Sequence, residues 1–409
     1  MIETVIIGGG QAGLVMSHHL GRLGREHMVF ERGRIAERWR SERWDSLTFQ
    51  FPNWMMRLPG YAYDGDEPNG FMNRDGVVHF IENFAKTVAP TIRLGIRVIG
   101  LDSAEGGNLV VSTDESTVEA ANVVIATGPY QTPRVPFFNA ALPNKIHQVT
   151  ANRYTNPNQL PPGAVLVVGS GGSGCQIAED LLRSGRLVYL SIRRHRRVPR
   201  VYRGKDFGWW QEKTGASDLT VDTLPPDSRA PLLTGVEGGR DVDLHRLARD
   251  GLQLIGSLQD VQGPLLKFAP DLEDNLRMGD DSLEAFKRTV DDYIREQQLD
   301  VPAEDHREVI TDVRPDGNSA IRELDVLSAG ITSVVWATGY GFDLSWVRCP
   351  VFDTNGRPVH RRGVTAVKGL YFLGLPRLHK VKSAFLWGVG DDAEFLARHI
   401  AGQTQEVIE

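Results

Sequence analysis

Apolar residues along the chain group into short runs, and two of these runs lead into the same pattern of glycines followed by helical periodicity. The first run, residues 4–7, precedes a glycine turn and a segment with apolar residues at helical spacing, and a second apolar run covers 27–31. The same order returns at 164–182, followed by an apolar run at 187–192. The pattern therefore predicts two strand–helix–strand units of the kind that build parallel sheets.

The segments after each unit predict how the chain is divided. An apolar strand at 122–127 ends in A-T-G-P, after which proline and asparagine dominate and indicate a linker. Residues 206–304 are polar and compatible with helix, with a charged amphipathic stretch at 281–297, and we expect a helical insertion there. A strand at 332–336 ends in A-T-G-Y, and a last strand at 369–373 precedes a C-terminal helix.

The composition narrows the class of protein. Apolar runs in the 409 residues stay short of the roughly 18 residues that a membrane span requires, and the net charge of −6 gives no general attraction for nucleic acid. Cys175 and Cys349 are far apart in sequence, which argues against a disulfide framework, a zinc site and a C-x-x-C redox pair. No basic region precedes the first apolar strand, which argues against a secretory signal. We expect a cytoplasmic protein that binds small molecules and no metal; a homo-oligomer stays open.

The first glycine turn has the spacing Gly8-x-Gly10-x-x-Gly13 between a predicted strand and a predicted helix. The first glycine permits a tight turn, the second lets the backbone approach a pyrophosphate, and the third lets the helix pack on the strand. Glu31 ends the second strand, where a carboxylate accepts hydrogen bonds from an adenosine ribose. The pattern predicts a dinucleotide site; the alternative is a glycine-rich turn with an exposed glutamate.

The second glycine turn, Gly169-x-Gly171-x-x-Gly174, differs in the charge that follows its second strand. R-R-H-R-R at residues 193–197 replaces the acidic residue, and Arg193 and Arg194 are the first candidates to bind a 2′-phosphate. NADPH is therefore predicted in preference to NADH. The alternative is a solvated basic loop or a patch for an anionic partner.

Several short segments together form a specific pattern. They are G-G-G-Q-A-G (Gly8–Gly13), Glu31, E-R-W-R-S-E-R-W-D-S-L (Glu37–Leu47), A-T-G (Ala126–Gly128), G-S-G-G-S-G (Gly169–Gly174), A-T-G-Y (Ala337–Tyr340) and Y-F-L-G (Tyr371–Gly374). On these segments the sequence resembles, over nearly its whole length, the class B flavoprotein monooxygenases. These are the flavin-containing and Baeyer–Villiger-type enzymes among the flavoproteins with two dinucleotide-binding domains.

The resemblance implies FAD at the first turn and NADPH at the second. It implies that Trp39 and Arg40 lie against the FAD diphosphate and flavin edge, that Gln50 or else Asn53 faces the flavin, and that the Val98 backbone meets the adenine. Core packing is the alternative for the tryptophans, and strand packing is the alternative for Val98. The other implied cofactor contacts are Gln11, Ala12, Arg32, Trp44, Leu47, Ala126, Thr127, Gly128, Ser173, Gly339, Gly374 and Leu375.

The predicted fold is α/β, with two Rossmann-like three-layer dinucleotide-binding domains and the NADPH domain inserted into the FAD domain. The first part of the FAD domain is predicted at 1–158 and its second part at 331–409. The NADPH domain is predicted at 159–330, with the helical insertion at about 206–304.

One segment departs from the family pattern. Relatives carry F-x-G-x-x-x-H-x-x-x-Y or W before the second glycine turn, and alignment on Tyr154 places Asn144, Ile146 and Thr150 at the first three marked positions. His147 lies three residues out of register, and we interpret it as a surface histidine. The departure puts in doubt the coupling of nicotinamide movement to oxygenation that this motif is thought to support.

The sequence predicts an FAD-dependent, NADPH-using monooxygenase that oxygenates a small organic substrate with oxygen through a peroxyflavin. Gln50 and Asn53 are the predicted catalytic residues, since an amide donates hydrogen bonds to developing negative charge. An NADPH oxidase or electron-transfer flavin reductase is the alternative enzyme, slightly favoured by the departed linker motif. A non-catalytic flavin redox sensor is the alternative from another class. A disulfide reductase is disfavoured because the cysteines are not paired in sequence.

Overall fold

The computed structural model describes residues 1–224, 228–304 and 321–403, and two β-sheets organise them. The strands, in chain order, are β1 (Ile2–Ile7), β2 (His27–Glu31), β3 (Arg57–Leu58), β4 (Tyr61–Ala62), β5 (Ile92–Leu94), β6 (Val98–Ser103), β7 (Leu109–Thr113), β8 (Thr117–Ile125), β9 (Thr132–Pro133), β10 (His147–Thr150), β11 (Ala164–Val168), β12 (Val188–Ser191), β13 (Val201–Tyr202), β14 (Lys205–Asp206), β15 (Leu233–Thr234), β16 (Arg240–Asp241), β17 (Gln253–Ile255), β18 (Leu258–Gln262), β19 (Leu265–Phe268), β20 (Glu323–Asp325), β21 (Ile331–Trp336), β22 (Tyr340–Gly341) and β23 (Leu370–Phe372).

Helices connect these strands. They are α1 (Gln11–Arg22), α2 (Glu37–Ser41), α3 (Arg74–Val88), α4 (Gly172–Arg183), α5 (Phe207–Lys213), α6 (Leu244–Arg249), α7 (Leu272–Gln297) and α8 (Val389–Ile400), with 3-10 turns at Asn53–Met55, Phe137–Ala141, Pro157–Gln159 and Val236–Gly238. Both predicted strand–helix–strand units are present, as β1-α1-β2 and β11-α4-β12. Among the described residues, no helix has the length and apolar character needed to cross a bilayer.

The first sheet has the order β5-β2-β1-β8-β7-β6, and β23 also pairs with β8. Its central strands are parallel, with Ile6 opposite Val29 on one side and Val124 on the other. All three side chains are fully buried, which explains why these strands appear in the sequence as continuous apolar runs. Helices α1, α3 and α8 contribute to the same core.

The second sheet has the order β10-β21-β11-β12-β17, and all its strands are parallel. The five residues of β11 are buried, and the apolar side of α4 packs into the same core. The second sheet and the central strands of the first are thus the parallel, helix-covered kind that the repeated sequence pattern predicts, while β7 and β6 extend the first sheet from β8 by antiparallel pairing. The predicted α/β fold is confirmed.

The limits of the two sheets differ from the predicted domain ranges. β10 and β21 pair with each other in the second sheet, although the sequence analysis assigned both to the first domain, in the ranges 1–158 and 331–409. β10 has only four residues, of which Val149 alone is buried, so its apolar signal is weak. The chain passes between the sheets where β9 pairs with β22, and we propose this short antiparallel ribbon as the domain boundary.

The insertion predicted as helical at 206–304 is of mixed structure. It contains α5, α6 and α7, and the predicted amphipathic stretch forms the second half of α7. It also contains β17, which extends the second sheet, and β18 and β19, which form a small antiparallel sheet with β20. These strands have three to five residues each, too few for a clear periodic signal. Residues 225–227 of the insertion, and the C-terminal residues 404–409, lie outside the described residues.

His19 lies where α1 contacts α8, and its pKa differs between the folded and the unfolded chain. Burial and the neighbouring His18 lower the pKa of His19 from its usual 6.5 to about 4. Between these pH values the unfolded chain binds a proton that the folded chain excludes, so this histidine lowers stability as the pH falls through that window.

We therefore expect His19 to account for a loss of about 1 kcal/mol in the free energy of unfolding between pH 7 and pH 5, after allowance for its partial exposure. Chemical denaturation of the wild type and of His19→Gln at both pH values measures this contribution. The variant should lose about 1 kcal/mol less than the wild type. Equal losses would contradict a depressed pKa at this position.

Candidate functional site

The first glycine turn has the geometry that its sequence predicts. Gly8 has φ +118°, and a Cβ on it would collide with the carbonyl oxygen of Ala126 at the end of β8. A Cβ on Gly13 would collide with the carbonyl oxygen of Gly8, so α1 lies directly on the turn. Side chains at these two positions would separate β1, α1 and β8.

Gly10 is the N-cap of α1, and the position where its Cβ would stand is open. Loop 374–388 borders this open space: Ala384 accepts a hydrogen bond from Gln11 Nε2 at 2.8 Å, and a Cβ on Gly374 would lie 2.7 Å from the Ala12 methyl group. The open position next to unpaired helix N–H groups is the environment that a phosphate group requires.

Glu31 ends β2 beside this turn, and its carboxylate orders the neighbouring backbone. One oxygen accepts a hydrogen bond from Gly9 N–H at 2.6 Å, and the other accepts from Gly33 N–H at 2.8 Å. Each carboxylate oxygen has a second lone pair, so Glu31 still has acceptor capacity for a ribose hydroxyl. Arg32 follows and is exposed.

The A-T-G segment after β8 lies next to the first turn. Ala126 is buried, and its N–H donates to the carbonyl of Ile7 at 2.9 Å. Gln131 holds the rest of the segment, because its Nε2 donates to Thr127 Oγ1 at 2.9 Å and to the Gly128 carbonyl at 2.8 Å. The predicted contacts in this segment thus share one edge of the sheet with Gly8.

The second glycine turn repeats the geometry of the first. Gly169 has φ +112°, and a Cβ there would collide with the Ala337 carbonyl; one on Gly174 would collide with the Gly169 carbonyl. Gly171 caps α4 and, like Gly10, has open space where its Cβ would stand. Ser173 is half-buried in the first turn of α4. Gly339, after β21, is exposed and also faces open space.

The basic run after β12 divides into two parts. Arg193 and Arg194 are exposed, and the Arg193 backbone N–H donates to Ser170 Oγ at 2.9 Å, which fixes the run beside the glycine turn. Arg197 points into the protein, where it forms ion pairs with Asp243 at 2.7 Å and with Asp280 at 2.8 Å. Only the first part is therefore accessible to a phosphate group.

The residues from α2 to β3 pack in the cores of both sheets. Arg40 forms an ion pair with Glu82 of α3, and half-buried Trp39 packs edge-on against Phe49 with 5.7 Å between ring centroids. Trp44 and Leu47 are buried in the core of the second sheet. Burial favours the packing alternative for Trp44, while Trp39, Arg40 and Leu47 remain predicted cofactor contacts.

The two predicted catalytic residues occupy different environments. Gln50 lies where the sheets meet, because its Oε1 is 4.0 Å from the ideal Cβ position of Gly172 at the start of α4. Asn53 is 5% exposed; its Nδ2 donates to the Glu67 carbonyl at 2.9 Å, and its Oδ1 is buried without a partner among the described residues. A buried oxygen left unpaired costs about 1–3 kcal/mol, so a ligand donor at this position would be favoured.

Other predicted positions lie further from the glycine turns in sequence. Val98, half-buried, begins β6 opposite Thr113. Leu375 is buried directly after Gly374. Their contact with a nucleotide stays a prediction.

The departed linker motif forms the edge of the second sheet. His147 is exposed, as expected of a surface histidine, and Ile146 is buried. Thr150 Oγ1 donates to Asn152 Oδ1 at 2.7 Å. Tyr154 is buried and donates to Asp180 of α4 at 2.6 Å; burial and this carboxylate raise the pKa of the tyrosine. The segment thus packs against the second domain through its tyrosine.

Two residues near the site escaped the sequence analysis. Trp387 stacks on Phe385 and packs edge-on against Phe51, and its Nε1 is buried without a partner in the described part of the chain. Arg200 is 5% exposed and donates to the Gln50 carbonyl at 2.7 Å. Neither lies in a recognisable motif, although an arginine between apolar residues in V-P-R-V is an unusual pattern that indicates a buried charge.

The two thiols are buried and separate. Burial raises the pKa of Cys175 to about 12, and Cys349 lies against Ser103 with 3.6 Å between Sγ and Oγ. A thiol of this kind is not an active nucleophile. Within the described ranges, no group of three or more potential ligands is arranged to hold a metal ion.

Comparison with known proteins finds relatives that match nearly the whole chain. A family model described as pyridine nucleotide-disulphide oxidoreductase matches residues 5–205. An uncharacterized CzcO-like oxidoreductase from Geobacillus kaustophilus (strain HTA426) is 33% identical over 407 residues, which cover 98% of this chain and 98% of that protein.

Solved structures share the fold. The flavin-containing monooxygenase from Stenotrophomonas maltophilia matches with a TM-score of 0.67 at 18% identity, covering 98% of each chain. OTEMO, solved in complex with FAD and NADP, matches with a TM-score of 0.56 at 16% identity, covering 98% of this chain and 85% of that one. The predicted resemblance to flavin monooxygenases is confirmed at the level of the fold, and the predicted cofactor pair corresponds to the pair in the OTEMO complex.

Proposed function

The chain belongs to the family of the CzcO-like oxidoreductases, and from this premise we propose that it is an FAD-dependent, NADPH-using monooxygenase of a small organic substrate. One observation carries the proposal: two glycine turns of the same geometry each leave open space beside a helix N-terminus, at Gly10 and at Gly171. A carboxylate, Glu31, lies beside the first, and exposed arginines follow the second strand of the other unit. The first site therefore suits FAD and the second suits NADPH.

Bound FAD would supply the chemistry, since a flavin accepts hydride from a nicotinamide and, once reduced, reacts with oxygen. The overall reaction balances as NADPH, a proton, oxygen and substrate giving NADP⁺, water and the oxygenated substrate. The side chains of the protein would orient and shield these partners. Gln50 lies with its side chain beside the start of α4, and its amide would help to orient the groups bound at the two turns.

Aromatic and apolar side chains around Gln50 would exclude water. A buried cluster there combines the segment around Gln50, a residue of the loop between β12 and β13, the insertion and the C-terminal loop. Its members are Phe51, Met55, Val198, Phe207 and Leu233, with Phe49, Trp54, Phe286 and Trp387 packed against it. Water exclusion protects reduced flavin chemistry from unproductive peroxide release. An apolar substrate would suit these walls.

Anaerobic reduction followed by oxygen tests the proposal. The purified protein is expected to be yellow and to be reduced faster by NADPH than by NADH. When oxygen is admitted, a peroxyflavin that absorbs at about 370–380 nm should form. Oxygenated product from an amine, sulfide or ketone would support the proposal. Reduction by NADPH followed by stoichiometric peroxide release with every such substrate would contradict oxygenation.

An NADPH oxidase or electron-transfer reductase is the second candidate. Thr150 occupies the position where the related motif has histidine, and its hydroxyl is bonded within its own loop. The departure from the motif at this position slightly favours an oxidase or a reductase. Peroxide release in the experiment above would favour this candidate. A cytoplasmic location remains a prediction.

A further inference from the structure

Arg200 is a buried cation at the junction between the two sheets. Its Nη2 donates to the Gln50 carbonyl at 2.7 Å and to the Thr234 carbonyl at 3.1 Å, and its Nη1 contacts Asp206 at 3.3 Å. The guanidinium lies over the Phe71 ring, 5.0 Å from the centroid. One side chain therefore connects four points that are distant in sequence.

These four points belong to three separate parts of the chain. Gln50 and Phe71 lie in the connection between α2 and α3, Thr234 ends β15 of the insertion, and Asp206 caps α5 by accepting from Gly208 N–H at 2.6 Å. The backbones meet closely here, because a Cβ on Gly235 would collide with the carbonyl oxygen of Phe49. The insertion is thus packed directly on the loop that carries Gln50.

The backbone of Gln50 is bonded to Arg200, and its side chain lies beside the second glycine turn. Arg200 binds its carbonyl oxygen, while its side-chain Oε1 is 4.0 Å from the ideal Cβ position of Gly172. We infer that Arg200 is a positioning residue that fixes Gln50, and with it the loop from the first domain, at the start of α4. This inference rests on the proposed function, because the position of the Gln50 loop would set the distance between the first glycine turn, proposed for FAD, and the second, proposed for NADPH.

Arginine is required for this task because of its shape. A planar fork reaches two carbonyl oxygens and a carboxylate at once and stacks on an aromatic ring, whereas a lysine ammonium binds as a single point. Asp206 balances the buried charge, so Arg200 has no need of an anionic substrate as a partner. Its role is therefore to order the junction rather than to bind substrate charge.

The test compares Arg200→Lys with Arg186→Lys. Arg186 also donates to backbone carbonyls, those of Gly163 and Leu160, but at the opposite end of β11. Arg200→Lys should slow flavin reduction by NADPH about 10-fold to 100-fold, because small displacements of reacting groups have effects of this size, while the Kd for NADPH stays unchanged. Arg186→Lys should change neither quantity. A reduction rate equal to that of the wild type in Arg200→Lys would overturn the inference.

Amide hydrogen exchange gives a readout that is independent of the cofactors. In Arg200→Lys the peptide covering residues 47–53 should exchange at least about tenfold faster than in the wild type, and in Arg186→Lys it should not. Unchanged exchange at 47–53 would overturn the inference even if turnover fell. If the wild type is not reduced by NADPH, the proposed function fails, and the exchange experiment still decides the role of Arg200.

A milder variant covers the case in which Arg200→Lys does not fold. Asp206→Asn keeps the cap on α5, since asparagine also accepts from an N–H, but removes the charge that orients Arg200. It should change reduction rate and exchange in the same direction by a smaller factor. No change in either quantity would count against Arg200 as the residue that positions Gln50.

Discussion

Gly10→Val is expected to give a folded protein without bound flavin. The Gly10 backbone is extended, with φ −84° and ψ −173°, and no atom lies within 4 Å of the added Cβ, so the fold tolerates the side chain. The same space is where a pyrophosphate would approach the α1 N-terminus. Each charge-assisted hydrogen bond lost is worth about 1.5–3 kcal/mol, so FAD affinity should fall at least about 100-fold.

The matched substitution at the second turn separates the two sites. Gly171 has the same extended backbone and open surroundings, so Gly171→Val should fold, retain FAD and be reduced by dithionite but only slowly by NADPH. Flavin content and anaerobic reduction of both variants measure this. Loss of flavin in Gly171→Val with flavin retained in Gly10→Val would reverse the assignment of the cofactors.

A third glycine-to-valine substitution is the control for disturbance of helix α1. Gly21 lies near the end of α1, away from the turn, and an added Cβ would be 3.8 Å from the His27 ring, an ordinary contact. Gly21→Val should keep its flavin and its NADPH reduction. If all three variants lose flavin equally, the loss at Gly10 reflects damage to α1 and not a blocked site.

The sequence analysis succeeded where local patterns determine structure. A glycine turn needs its glycines because a Cβ would collide with named carbonyl groups, and this requirement is the same at Gly8 and at Gly169. Buried parallel strands need apolar residues on both faces, so β1 and β11 appeared directly as apolar runs. Both features depend on neighbours close in sequence or on a repeated sheet environment, and both could therefore be predicted.

The sequence analysis failed where contacts with residues distant in sequence determine the structure. β10 is a strand only because β21, far along the chain, lies beside it. Arg197 belongs to the same basic run as Arg193 but is turned inward by Asp243 and Asp280, which no local pattern reveals. Trp44 could not be assigned to a cofactor or to a core from its sequence, because the core it joins is that of the other sheet.

The exposed part of the basic run yields the second prediction of large effect. The double substitution Arg193→Gln with Arg194→Gln is expected to lower kcat/KM for NADPH about 100-fold while leaving kcat/KM for NADH unchanged. The reason is that NADPH differs from NADH by a 2′-phosphate, and hydrogen bonds from charged donors to a phosphate are worth about 1.5–3 kcal/mol each. Steady-state kinetics with both coenzymes measure the change.

The control for this prediction removes positive charge elsewhere on the same domain. Arg249 is exposed at the end of α6, and Arg249→Gln should leave both coenzymes unaffected, since it changes net charge without touching the strand end. If kcat/KM for NADPH falls in the double variant and not in Arg249→Gln, the first two arginines of the run are the phosphate ligands. Equal losses for NADPH and NADH would instead show that the two side chains support the conformation of the second glycine turn, to which the Arg193 backbone is bonded through Ser170.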